Sequence, residues 1–153
     1  MLINTKNILR ESGWETDRKI NIDKEIVFLN EKGYKLIESF VKFYQNLGRI
    51  NFLIQVKGND RFINFDIFKP VSYDYDSVII EDYPKITGSD YLVPIGNIDG
   101  SSYLVIDEKE NVYSLYDGYT LVIGNNIEEA LDNLCNKGWR ELEELPIPNW
   151  WGE

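Results

Sequence analysis

A chain of 153 residues, 43% hydrophobic and 27% charged, is long and apolar enough to close one core, which excludes a disordered segment. Its 16 Lys and Arg against 26 Asp and Glu give a net charge of −10, the wrong sign for binding nucleic acid through its phosphates. Histidine is absent and Cys135 is the single cysteine, so no imidazole base, Ser–His or Cys–His couple, internal disulfide or cysteine metal cluster can be assembled.

The N-terminal third reads as helices. Asn4 or Thr5 is positioned to cap a short helix that runs to Ser12, with Gly13 as its stop. After a link over 14–21, Asp23 is expected to cap a second helix carrying Ile22, Ile26 and Leu29, ended by Gly33. From Tyr34 a wide apolar arc (Leu36, Ile37, Phe40, Val41, Phe43, Tyr44, Leu47) predicts a third helix, buried on most of its circumference and packed on a sheet.

Past Gly48 the period falls to two. Strands are predicted over 51–56, 61–68, 90–95, 103–107, 111–116 and 121–123, with Lys57–Asp60, Asp99-Gly100 and Asp117-Gly118 as turns. That rhythm is a meander and not a βαβ alternation. One further helix is well marked: Asn126 with Glu129 makes a capping-box pattern. Ile127, Ala130, Leu131, Leu134 and Cys135 then fall on one stripe before Gly138, so Cys135 reads as a core thiol. Residues 139–153, with Pro146, Pro148 and Trp150-Trp151, read as an extended tail that folds back as a staple or docks on a partner. One domain over 1–153 is expected, its core about 13–138. Met1–Arg10 carries no cleavable signal and no apolar stretch is long enough to span a bilayer, so the expectation is a cytoplasmic protein without a membrane partner.

Charge is unevenly distributed. Residues 1–50 hold nine basic and seven acidic residues, +2, whereas 51–153 hold seven and nineteen, −12. Neighbouring carboxylates (Asp74 with Asp76, Glu81 with Asp82, Asp107 with Glu108) are common in so acidic a chain and lack the spacing of a calcium loop. The Pro94–Gly100 glycines match no phosphate-binding spacing, and Ser101-Ser102 has no base beside it. No catalytic residue, metal ligand or cofactor site is therefore assigned. The window 73–91 differs in kind, because tyrosines interleave with acids. Tyrosine offers rigid contact area with a hydroxyl, and carboxylates steer basic partners. Tyr73, Asp74, Tyr75, Asp76, Glu81, Asp82 and Tyr83 are the expected partner contacts.

The order of several short motifs resembles the SUKH superfamily, in its bacterial immunity-protein branch of the SUKH-3 type. Gly13-Trp14 with Arg18 and Ile20, then a helix ending at Gly33-Tyr34, is similar to its opening. Phe40–Phe43 with Asn46-Leu47-Gly48 resembles the helix-to-turn segment before its sheet, and Leu92-Val93-Pro94-Ile95-Gly96 its "L-x-P-[IV]-G" strand. Leu104–Asp107 with Val112-Tyr113 resembles its "ID-x-x-G-x-V-Y" hairpin, and Glu129-Ala130-Leu131 the "EAL" of its last helix. The chain departs from the pattern at Asn46-Leu47-Gly48-Arg49, where a glycine pair is usual, and at Asn111, where a hairpin glycine is common; Asn and Gly both suit turns. The resemblance implies an α+β fold, a mainly antiparallel sheet with helices packed mostly on one side. It also implies a non-enzymatic immunity protein that neutralises a cognate toxin, often a nuclease, by stoichiometric binding. A basic nuclease domain would complement the −12 region. Two alternatives stay open: a regulatory or scaffold module of the same fold, and a hydrolase built on Asp74, Asp76, Glu81 and Asp82.

Overall fold

The computed structural model describes residues 1–56, 58–68 and 75–152. Three helices come first, α1 (Ile3–Glu11), α2 (Asp23–Glu31) and α3 (Glu38–Leu47), followed by strands β1 (Asn51–Val56) and β2 (Asn59–Asn64). Two short helices, α4 (Asp76–Glu81) and α5 (Tyr83–Thr87), lead to β3 (Leu92–Ile98), β4 (Ser102–Asp107), β5 (Val112–Tyr116) and β6 (Tyr119–Gly124). Helix α6 (Ile127–Asn136), a 3-10 turn (Trp139–Glu141) and β7 (Glu143–Leu145) finish the chain. The strands form one antiparallel meander in the order β1 to β7, with the helices packed mostly on one side, so the fold is α+β as the resemblance implies.

The starts of α1 and α2 are met by side chains other than the expected capping residues. Asn4 and Thr5 lie inside α1 and do not cap it; instead the Leu2 N–H and the Thr5 hydroxyl donate to one Asp132 carboxylate oxygen on α6, at 2.9 and 2.7 Å. Asp23 likewise does not cap α2, since the Asn21 side chain accepts from the Asp23 N–H at 2.9 Å. The predicted start of α3 at Tyr34 is four residues early. Tyr34 is drawn into the core, with its N–H on the Leu29 carbonyl and its hydroxyl on Asp76, which keeps 34–37 out of the helix and leaves Leu36 exposed. At α6 the local signal is sufficient: Asn126 Oδ1 accepts from the Glu129 N–H at 2.8 Å, and Ala130, Leu131, Leu134 and Cys135 are buried.

The helix-side face of the sheet is laid out by register. Phe52, Ile63, Ile98 and Ser102 stand in one row across β1–β4, and Leu104 and Ile106 continue that face along β4. Phe65 joins this face to α3, meeting Phe43 edge-on at 5.0 Å and Phe52 at 5.8 Å. Every residue of β3 is buried, so both faces of the middle of the sheet are covered. On the second face Tyr75 stacks on Tyr103 at 5.7 Å. The sheet also curls: α6 touches both β1 and β6, and the Arg61 guanidinium on β2 lies 3.7 Å over the ring of Trp139, just before β7. The helical layer is tied down by Glu25, fully buried on α2, whose two carboxylate oxygens receive Arg49 Nε and Nη2 at 2.8 Å each.

Strand β2 ends at Asn64, short of the expected 68, because Asp66 turns the chain by accepting from the Phe68 N–H at 2.9 Å. Between β3 and β4 the register shifts at Pro94/Gly96, and the chain packs so closely there that a Cβ on Gly96 would sit 2.1 Å from the Asn64 carbonyl oxygen. The obstacle is backbone, which cannot swing away. Gly96→Ala is therefore expected to cost about 3 kcal/mol, read as a lower urea midpoint with an unchanged slope.

Candidate partner-binding surface

The window singled out in the sequence folds as α4 and α5, not as the strand and loop that its composition permits. Tyr73 and Asp74 lie outside the described residues. The other five positions have distinct fates. Tyr75 is half-buried against Tyr103. Asp76 opens α4 and accepts from Lys32 Nζ at 2.9 Å and from the Tyr34 hydroxyl, so its charge is engaged within the chain, tying α4 to α2. Glu81 is exposed at the end of α4 and Asp82 is half-exposed at the junction, and these two carboxylates face solvent most directly.

Tyr83 is corrected from surface to core. It is fully buried, its hydroxyl accepts from the Gly118 N–H at 2.9 Å, and its ring meets Trp151 at 4.9 Å. Burial pushes its hydroxyl pKa up to about 12, against which the Gly118 hydrogen bond acts in the opposite sense. In this position Tyr83 fixes α5 to the β5–β6 turn and supports the surface from beneath.

The C-terminal segment joins the same assembly. Strand β7 pairs with β6, Thr120 opposite Leu145 and Val122 opposite Glu143, and the chain returns to lay Trp151 over Tyr83 and Gly118. Trp150 remains 39% exposed beside Trp151, with Lys85 Nζ 5.7 Å from its ring. The two tryptophans therefore divide: Trp151 is a staple and Trp150 faces outward. Asp117, exposed at the turn gripped by Tyr83, adds a third solvent-facing carboxylate, and Tyr91 is exposed after α5. Sequence reading left these out of the contact set. The available signal for Asp117 was an Asp-Gly turn flanked by aromatic residues, Tyr116 and Tyr119, both of which are exposed.

The remaining carboxylate pair is structural. Asp107, 2% exposed, accepts from Ser89 Oγ at 2.8 Å, from the N–H groups of Lys109 and Asn111 at 2.9 and 2.8 Å, and from Asn111 Nδ2 at 3.0 Å. Glu108 is subject to burial, which raises its pKa, but N–H donors from Tyr91 and Asp90 outweigh this and hold it below the usual carboxylate range. Both acids are spent on positioning the β4–β5 turn against the exit from α5. Cys135 is buried, and desolvation pushes its thiol up to about 12. Among the described residues no group of three or more His, Cys, Asp or Glu side chains is arranged to hold a metal ion, and no helix is long and apolar enough to cross a membrane.

A family model described as SUKH-3 immunity protein matches residues 2–137. The chain belongs to the SUKH-3 immunity-protein family. The matched span runs from α1 to the end of α6, so β7 and the Trp151 staple lie beyond it. No curated protein and no solved structure matches the chain. Membership places it among immunity proteins, the class that neutralises toxins by binding them.

Two outcomes test the surface's construction. Trp151→Ala should destabilise the protein by about 3 kcal/mol, while Trp150→Ala should stay within about 0.5 kcal/mol, both read by urea unfolding. Because the folded-state pKa of Tyr83 is raised above its ordinary value of 10.0, its contribution is complete below about pH 10. It should be lost as the pH rises through about 12, and Tyr83→Phe should flatten this alkaline loss in the urea midpoint.

Proposed function

We propose that this immunity protein blocks its cognate toxin through the surface formed by α4, α5 and the β5–β6 turn. The observation that carries the reading is the pairing of the exposed carboxylates of Glu81 and Asp117 and the half-exposed one of Asp82 with aromatic rings on the same scaffold, Trp150 exposed and Tyr83 with Trp151 locked below. Aromatic anchors supply contact area, and carboxylates raise the encounter rate with a positively charged partner. Tyr73, Asp74 and Tyr75 extend the proposed contact along the chain, whereas Asp76 acts by holding α4 in place.

A basic nuclease domain is the toxin class that fits this charge. An enzyme that grips phosphates carries a cationic cleft, and the −12 balance of residues 51–153 is complementary to it. Neutralisation then requires occupancy alone: the bound protein fills or rims the cleft and excludes the nucleic acid. No bond is made or broken by the inhibitor.

The test is co-expression with the toxin encoded beside it, followed by kinetics on the purified pair. Wild-type protein should restore growth at equal expression. The double variant Glu81→Lys/Asp82→Lys should associate about tenfold more slowly at low salt, with a shallower dependence of the on-rate on ionic strength. Unchanged kinetics would remove this surface from the interface, and absence of any rescue would remove the toxin partnership.

A further inference from the structure

The two edges of the sheet are unlike. Strand β7 is short and carries Glu143 and Glu144, both exposed, which keeps other strands away. Strand β1 reads Asn-Phe-Leu-Ile-Gln-Val, with neither charge nor proline. Its hydrogen-bonding direction follows from its neighbours. The Phe65 N–H bonds the Ile50 carbonyl and the Phe62 carbonyl bonds the Asp99 N–H, so odd-numbered residues of β2 face β1 and even-numbered ones face β3. On β1 it is therefore Phe52, Ile54 and Val56 that bond β2, while the N–H and C=O groups of Asn51, Leu53 and Gln55 point outward. Among the described residues none of these outward groups has a partner. The side chains of the same three residues are exposed, Leu53 at 61%, and Leu53 stands directly opposite Phe62, 38% exposed on β2.

We infer that β1 is a homodimer edge, pairing antiparallel with β1 of a second copy about a two-fold axis at Leu53. The edge is complementary to itself in that one register. Leu53 meets its own counterpart, and Asn51 meets Gln55 of the partner subunit on either side, so amide faces amide and leucine faces leucine. All outward backbone groups of Asn51, Leu53 and Gln55 then fall in hydrogen-bonded pairs. The exposed Phe62 rings flank the leucines and complete an apolar stripe across the join. Shifting the register by two residues would set leucine against an amide and leave a backbone pair unmet. Charge permits the same occupant. Two copies carrying −10 each repel over most of their surface, but along β1 no ionised side chain opposes their approach. The α4–α5 surface shares no residue with this edge, so a dimer would present two such surfaces at once.

Sedimentation equilibrium of the full chain, up to about 100 µM, tests this directly. The wild type should sediment as a dimer. Leu53→Lys and Leu53→Glu should each be monomeric, with circular dichroism unchanged because Leu53 is 61% exposed and stands outside the core. Mixing the two variants in equal amounts should restore a dimer with affinity within about tenfold of wild type, since in this register residue 53 meets residue 53. A wild type that is monomeric at the highest concentration, or a dimer indifferent to both substitutions, would overturn the inference. So would failure of the mixture to reassociate. Protection of the Leu53 amide from hydrogen exchange that arises only on adding the toxin would assign the edge to a toxin strand instead, and would overturn it equally.

Discussion

Asp107 ends β4 almost wholly out of water, and its carboxylate gathers donors from Ser89, Lys109 and Asn111 while its own carbonyl accepts from the Ser39 hydroxyl of α3. A buried carboxylate without such donors would cost several kcal/mol. Satisfying it fixes the helical layer, the β4–β5 turn and the segment that leaves α5 relative to one another. Glu25 plays the corresponding part at the other end of α3, where Arg49 closes the joint between α2 and the entry to β1. Between these two clamps α3 lies against the sheet, and the remaining elements are placed from it.

The surface proposed for toxin binding is held in place by this arrangement. The chain leaves α5 through Ser89, which is held by Asp107, and α5 is pinned from below by Tyr83 on Gly118 and Trp151. Lys32 and Tyr34 of the helical layer hold Asp76 at the start of α4. Carboxylates carried on such a platform lose little freedom on binding, which is how an inhibitor without chemistry can reach high affinity. The fold thus separates two tasks: some acids are consumed as internal fasteners, and others of the same sequence neighbourhood are left to solvent.

Much of the architecture was legible because it rests on periodicity and local capping. The alternation in β1, the Asn126–Glu129 pattern of α6 and the turns at Asp99 and Asp117 are all short-range signals, and β1, α6 and both turns form where they place them. Three features were not legible. Helices α4 and α5 are a few residues each, too short for a helical period to emerge; α4 is held by Lys32 and β4, and α5 by Gly118 and Trp151. Strand β7 is Glu-Glu-Leu, without β-branched or aromatic residues, and exists because β6 offers it an edge. The caps of α1 and α2 come from Asp132 and Asn21, and the first of these is distant in sequence.

The fate of each acidic or aromatic residue in the 73–91 window shows where sequence stops. Composition established that the chain is acidic, that its acid excess lies beyond residue 50, and that histidine chemistry is impossible; motif order pointed to the SUKH family. Those properties are sums and patterns along the chain, and they survive any folding. Only the tertiary structure decided that Asp76 is bonded internally, that Tyr83 is buried, that Trp151 packs on the core while Trp150 beside it stays exposed, and that β1 keeps an open edge. Each of those is a matter of which distant group arrives alongside, and a residue's partner across space is not written in its neighbours along the chain.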